Sequence, residues 1–270
     1  MQPTATAKAS STDPRRALPR VDLVIPVLNE AHVLAKSVAE VTRFLTAHGP
    51  WDWRIVVVDN GSTDGTDRVA RQLVADQPGR VRFVQLPERG RGRALRHAWL
   101  ESEAEVVAYT DVDLSTELEA LPVLVHAILA EGYDLGTGSR LLPDSKTTRS
   151  FKREAISRIY NLIVRSILFT SFSDAQCGFK VVSRRVVQEI VPEIVDQSWF
   201  FDTELLVLAE KRGFRLKDHP VRWIEDDDSR VKIVKTAWED LKGVARLRWK
   251  LWREYVAPTD RAAVAASRRV

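Results

Sequence analysis

Apolar and polar positions fall in blocks along the first half of the chain, and the period within each block alternates. Residues 21–28 form a short apolar run interrupted only by Asp22 and Pro26, and residues 55–58 are apolar throughout and β-branched. Such runs suit strands covered on both faces. Residues 81–86 and 106–110 read as two further strands. Between them, residues 31–47 carry Leu34, Val38, Val41 and Leu45 at helical spacing. Residues 67–76, 93–102 and 117–131 supply the other helices. Strand then helix, four times over, predicts an α/β fold: a mostly parallel central sheet with right-handed crossovers and helices on both faces. Ligands of such sheets sit beyond the carboxyl ends of the strands.

After residue 138 the rhythm changes. Residues 143–150 are a polar, basic loop. Ile156, Ile159, Tyr160, Ile163, Val164, Ile167 and Leu168 then make a helical stripe. Residues 205–211 read as another helix, and 231–255 as a long basic amphipathic helix with a break expected at Gly243. The expected organisation is a disordered leader at 1–20, an α/β body at 21–230, the amphipathic helix at 231–256 and a tail at 257–270.

Charge sharpens this picture. The net charge of +4 is unevenly placed: residues 230–270 hold 11 Lys/Arg against 4 Asp/Glu, leaving the rest of the chain slightly acidic. A basic end on an acidic body points to an anionic surface. No recognisable nucleic-acid motif accompanies it, so nucleic acid is not expected as the partner. No apolar run approaches the roughly 20 residues a bilayer span requires, and the amino terminus has no signal-peptide core. One cysteine, Cys177, rules out an intramolecular disulfide and reads as a small buried residue. The five histidines have no metal-ligand spacing.

Three polar clusters stand just beyond predicted strand ends. Asp111-Val112-Asp113 places two carboxylates where they can share a hard divalent cation, Mg²⁺ or Mn²⁺, with diphosphate oxygens. Taken alone, the same spacing also caps turns. Asp59-Asn60-Gly61-Ser62-Thr63-Asp64-Gly65-Thr66 combines turn glycines with helix caps, and the Asp59 carboxylate can accept from the imide of a uracil ring. Arg89-Gly90-Arg91-Gly92-Arg93 offers guanidiniums to a diphosphate, or is a solvated basic loop.

Together with Val24-Ile25-Pro26-Val27-Leu28-Asn29-Glu30, these clusters resemble the opening of a family 2 glycosyltransferase, which has the GT-A, Rossmann-like fold. The second half adds Gly138-Ser139-Arg140, then Ser173-Asp174-Ala175-Gln176-Cys177-Gly178-Phe179-Lys180, then Trp199-Phe200-Phe201-Asp202-Thr203-Glu204, and Trp223-Ile224-Glu225 leading to Ser229-Arg230-Val231. This set is similar to dolichyl-phosphate glucosyltransferases and related polyprenyl-phosphate sugar transferases. The chain departs from that pattern in carrying Asn60 for a second acid, arginines for lysines in the glycine loop, and Ser115 after the acid pair.

The resemblance implies an inverting transfer of a hexose from a nucleoside diphosphate sugar, UDP-glucose before GDP-mannose, to a polyprenyl or dolichyl phosphate. Pro26, Val27, Asn29, Glu30, Asp59, Asn60, Arg89, Arg91, Asp111, Val112 and Asp113 are the implied nucleotide-sugar residues, with Asp111 and Asp113 on the metal. Arg140, Lys180 and Arg230 are implied to hold phosphate, and Asp174 and Asp202 to lie near the sugar or acceptor, Asp174 before Asp202 in a catalytic role. Among Trp199, Phe200, Phe201 and Trp223, at least two are expected to be core.

A lipid acceptor requires a meeting at the bilayer surface. Lys235, Lys242, Arg246, Lys250 and Arg253 form one stripe of the last helix, and Val234, Trp238, Leu241, Ala245 and Trp252 another, the pattern of an interfacial helix. The stripe at 156–168 is either a second contact or a helix packed on the sheet. The cytoplasmic face of a membrane is the expected site, because activated sugars are made there. An oligomer through the last helix, a soluble acceptor, and a non-catalytic nucleotide-sugar module are the competing readings.

Overall fold

The computed structural model of the chain describes residues 18–148, 150–224 and 233–256, with the side chains of 151, 152 and 233–235 excepted. Arg230, most of the expected leader, the tail, and the side chains of Val234 and Lys235 therefore lie outside the described residues.

The first half follows the alternation: β1 (Arg20–Val27), α1 (Leu34–His48), β2 (Asp52–Asn60), α2 (Thr66–Asp76), β3 (Val81–Leu86), α3 (Arg91–Glu101), β4 (Val106–Thr110) and α4 (Ala120–Ala130). Two helices start later than expected, for local reasons. Asn29 takes the left-handed conformation at φ 59°, so the chain turns before α1 forms. Glu117 instead donates its backbone N–H to the carbonyl of Arg222, which delays α4.

The second half contributes β5 (Leu135–Ser139), β6 (Lys146–Thr148), α5 (Phe151–Leu168), β7 (Phe179–Ser183), α6 (Arg184–Glu189), a 3-10 turn at Val191–Glu193, α7 (Phe201–Lys211), β8 (Leu216–Pro220), β9 (Arg222–Ile224) and α8 (Ile233–Val256). Helix α8 runs unbroken through Gly243. A Cβ there would lie 2.6 Å from ring carbons of Phe200, so the glycine serves a close approach and not a break.

Seven strands form one sheet in the order β3-β2-β1-β4-β7-β5-β8, and β6 pairs with β9 separately. Neighbours are parallel except that β7 runs antiparallel to β4 and β5. The period-2 alternation sends Leu23, Ile25 and Val27 under α1, α2 and α4. It sends Val24, Val56, Val58, Val107 and Tyr109 to the opposite face, under α3 and α5–α8.

This topology decides where the chemistry gathers. The chain leaves β1 toward β2 and β3 on one side and returns to β4 on the other, so a crevice opens between the ends of β1 and β4. Strand β5 ends at the same rim. Because β7 is reversed, its entry turn, residues 174–178, reaches that rim as well: Phe179 pairs with Thr110.

Candidate active site

The loops after β1 and β2 are stapled together. Asn29 donates its backbone N–H to Ser62 Oγ (2.8 Å), and its Oδ1 accepts from Thr63 N–H (2.8 Å). Glu30 N–H donates to Thr66 Oγ1 (2.9 Å). Pro26 and Val27 are buried strand residues. The Val27 carbonyl accepts from Asn60 Nδ2 (2.8 Å), and Asn60 Oδ1 accepts from Gly90 N–H (3.2 Å). Asn60 thus ties β1 to the glycine loop and does not face the crevice. Its amide does here what a second carboxylate could not, because one end must donate. Asp59 is fully buried, with Oδ1 accepting from Ser62 N–H (2.9 Å). Its Oδ2 is buried without a hydrogen-bond partner among the described residues. An orphaned buried acceptor of this kind suits a ligand donor.

Arg91 organises the centre. Its Nε donates to Asp111 Oδ1 (3.1 Å), Nη1 to Asp202 Oδ2 (2.8 Å) and Nη2 to the Tyr109 hydroxyl (2.9 Å). Tyr109 donates in turn to Asp202 (2.7 Å). With all its nitrogens engaged, Arg91 aims Asp111 and does not present its guanidinium to a diphosphate, contrary to the expectation for this loop. Arg89, by contrast, is exposed beside Gly61. Burial alone would raise the pKa of Asp202, but Arg91, Lys180 and the Tyr109 bond hold it below the usual carboxylate range. Tyr109 escaped the sequence reading. The available signal was a phenol in an apolar strand, which needs a partner when buried.

On the other side of the crevice, Arg140 and Asp174 form a two-pronged pair: Nε to Oδ2 at 2.7 Å and Nη2 to Oδ1 at 2.9 Å. The Arg140 backbone N–H adds a third bond at 3.1 Å. Burial opposes ionisation of Asp174, yet the guanidinium carries its pKa down to about 2. This carboxylate is a clamp and not a proton acceptor near neutral pH. Arg140 Nη1 is not used in that pair, and the guanidinium lies 5.7 Å from the Trp223 ring centroid. Lys180 corrects another expectation. It is completely buried on β7, where its ammonium donates to the Cys177 carbonyl (2.8 Å) and lies 3.6 Å from Asp202 Oδ1. An amine so enclosed braces the site from beneath and cannot meet a phosphate. Asp202, held by Arg91, Tyr109 and Lys180, belongs to the same brace. Burial pushes the Cys177 thiol up to about 11, as befits an inert core residue. Phe200 and Phe201 are core, while Trp199 is 39% exposed under the Arg91 guanidinium.

The acid pair itself is open. Val112 is buried, and Asp113 is exposed with Oδ1 accepting from Ser115 N–H (3.0 Å). The Asp111 side chain keeps 37% of its surface accessible at the crevice mouth. Protein crowds its other sides. That burial, then the nearby Asp113 and Asp202 carboxylates, raises its pKa against the pull of Arg91. A Cβ on Gly178 would lie 1.8 Å from Asp111 Oδ2, so only glycine lets this carboxylate keep its place. Among the described residues no three His, Cys, Asp or Glu side chains cluster as a closed metal cage. Two open carboxylates that repel each other suit Mg²⁺ or Mn²⁺, which take one or two acids and complete their shell with phosphate and water.

Helix α8 closes the site from behind. Val244 and Leu247 are buried in the core. Arg246 reaches Glu204, which is fully buried on α7, through two bonds of 3.0 and 2.9 Å. Lys250 meets Glu193. Those two cations therefore leave the basic stripe the sequence suggested. The outward face carries Trp238, Leu241, Trp249, Trp252 and Tyr255. Beside it stand Ile167 of α5 and Phe169 at its end, and Ile159 and Leu162 of α5 are exposed as well. Tyr160, Val164 and Leu168 are buried, so α5 is both a core helix and a source of exposed apolar surface.

Known proteins are similar to this chain in sequence and in fold. Glycosyltransferase AglD of Haloferax volcanii is 35% identical over 86% of the chain, although the chain spans only 37% of AglD. Dolichyl-phosphate beta-glucosyltransferase of Dictyostelium discoideum is 27% identical over 85% of the chain and 74% of its own length. The corresponding Saccharomyces cerevisiae enzyme is 27% identical over 79% of the chain and 69% of its own length. Glucosyl-3-phosphoglycerate synthase of Mycobacterium tuberculosis, solved with UDP, has the same fold at a TM-score of 0.64 and 18% identity, covering 85% of this chain and 80% of that one. That synthase has also been solved with Mn²⁺ and with Mg²⁺. Residues 22–191 match glycosyl transferase family 2, and the chain with its GT-A sheet is a member of that family.

Proposed function

We propose that the chain transfers glucose from UDP-glucose, with inversion, to a polyprenyl or dolichyl phosphate at a membrane surface. The observation that carries this reading is the open Asp111/Asp113 pair at the end of β4, where the strand order reverses. The named activity of the Dictyostelium and Saccharomyces relatives supports the donor sugar and the acceptor.

Asp59 Oδ2, the orphaned acceptor, is the group for the uracil imide. Arg89 is exposed beside Gly61 of that loop and is suited to the diphosphate. Asp111 and Asp113 would hold Mg²⁺ or Mn²⁺, and when bound the ion supplies neutralising charge for the departing nucleoside diphosphate. Arg140 holds the acceptor phosphate through its remaining nitrogen, with its plane fixed by Asp174. A phosphate whose second pKa is about 6 is already anionic near neutral pH and needs no general base. That fits a site in which the buried acids Asp174 and Asp202 are both committed to cations. The protein's task is then to position the two reactants.

The test is a donor screen on the full chain with polyprenyl phosphate as acceptor, offering UDP-glucose and GDP-mannose with and without EDTA. Glucosyl transfer from UDP-glucose that EDTA removes is the expected result. Transfer from GDP-mannose alone would reassign the donor, and no lipid product from either would overturn the reading.

The membrane part rests on the outward face of α8 and α5. No described helix is long and apolar enough to cross a bilayer. Trp249 and Trp252 stack at 4.8 Å and, with Ile167, Leu241 and Val244, line an apolar groove of about 450 Å³ that Arg248 borders. Arg248 also lies 5.2 Å from the ring of exposed Phe169. Aromatic rings with flanking cations suit the headgroup region, each cation contributing about 1 kcal/mol near an anionic surface. Deleting residues 231–270 would strip Val244 and Leu247 from the core, so substitution of Trp238, Trp249 and Trp252 by Ser is the cleaner probe. The triple variant is expected to stay folded and to lose flotation with phosphatidylserine vesicles. Undiminished flotation would remove this face from the reading.

A further inference from the structure

Helix α8 meets the rim through polar side chains as well as apolar ones. Asp240, only 3% exposed, accepts a 2.6 Å bond from Gln176 Nε2. The backbone N–H of Gln176 donates to Asp174 Oδ1 (3.2 Å), and that of Ala175 to Asn161 Oδ1 on α5 (2.8 Å). Asp174 is the carboxylate that clamps Arg140. One side-chain bond and one backbone bond thus connect a carboxylate on α8 to the partner of Arg140.

The placement of Asp240 is costly. Burial, then the neighbouring Asp196, Glu239 and Asp202 carboxylates, pushes its pKa up to about 6, with only the Gln176 bond pulling the other way. An apolar residue would pack there without such a penalty, as Val244 and Leu247 do further along the same face. The bond to Gln176 is what an apolar residue would not provide.

We propose that Gln176 and Asp240 are positioning residues, holding the 174–178 turn, and with it Arg140, in register with α8. Neither touches reacting atoms. The proposal rests on the reading of Arg140 as the acceptor-phosphate group. A helix with a membrane-facing side is thereby tied to the residue that receives the phosphate of a membrane lipid.

The test compares Gln176→Leu and Asp240→Leu with Asp240→Asn, whose Oδ1 still accepts from Gln176, all in the full chain. Amide hydrogen exchange is read at residues 175 and 176, and steady-state kinetics are measured with UDP-glucose and polyprenyl phosphate. The two Leu variants are expected to speed exchange at both amides about tenfold, while the β1–β4 amides stay as in the parent. They should raise the acceptor KM about tenfold or more, since misplacement by an ångström is enough for that, and leave the donor KM unchanged. Asp240→Asn should restore both readouts. Unchanged exchange in the Leu variants, donor and acceptor KM rising together, or an Asn variant as impaired as the Leu variant would each overturn the proposal. If the parent protein transfers nothing to the lipid phosphate, the functional reading fails separately, and the exchange data still decide whether the turn is held by α8.

Discussion

Asp113→Asn is expected to reduce sugar transfer at least about a hundredfold while leaving the fold intact. A divalent ion stabilises a leaving diphosphate by several kcal/mol, and each 1.36 kcal/mol is worth about tenfold in rate. Losing one of two carboxylate ligands forfeits a large part of that. The structural cost should be small, because Asp113 is exposed and its bond from Ser115 N–H goes to Oδ1, which asparagine keeps as a carbonyl. Asp111→Asn is a poorer probe, since Asp111 also pairs with Arg91 and abuts Gly178. The measurement is transfer of labelled glucose beside a thermal melt of the same sample. Full activity with an unchanged melt would show that the acid pair lies off the reaction path.

The second large effect is on stability. Arg246→Ala is expected to destabilise the protein by about 3 kcal/mol, read by urea unfolding. Glu204 has no accessible surface and accepts from both Arg246 nitrogens and from Asp196 N–H (3.0 Å). Removing the cation leaves a buried carboxylate without its counter-charge, a change that costs about 3–5 kcal/mol in enclosed sites. The Arg246 side chain is 37% exposed, which argues for the lower end. Replacing both partners, as Glu204→Gln with Arg246→Met, should recover most of the loss, because no unpaired charge then remains. A single variant as stable as the parent would mean that water reaches Glu204 and that the pair does not secure α8.

Much of the fold was legible because the first half obeys local rules. The strands at Val81–Leu86 and Val106–Thr110 have the limits their sequence suggests, since the first carries Val81, Phe83, Val84 and Leu86 and the second is apolar up to Thr110, each ending at turn residues. The acids and glycines at their ends were visible for the same reason. Strand β5 was not, because Leu135-Gly136-Thr137-Gly138-Ser139 has no strand-like pattern and depends on β7 and β8 for its conformation. Strand β8 is a polar edge, Leu216-Lys217-Asp218-His219-Pro220, which local pattern assigns to a loop. Lys180 defeated the reading because charged residues are ordinarily at the surface, and nothing nearby in sequence announces Asp202 beneath it. The pairings of Arg91 with Asp202 and of Arg246 with Glu204 likewise span distances that only the tertiary fold closes. The amphipathic character of α8 was evident, but which cations turn inward was set by acids on α7 and at the 3-10 turn.

The reversed direction of β7 bears on how the molecule is assembled. During synthesis, β4 is complete long before residues 179–183 emerge, and until they do one flank of β4 has bare peptide groups open to mispairing. The acid pair at its tip and the glycine that seats Asp111 come from opposite sides of that delay. An amino-terminal fragment ending before Phe179 would therefore be a sheet with a sticky open edge, however well its own loops were formed.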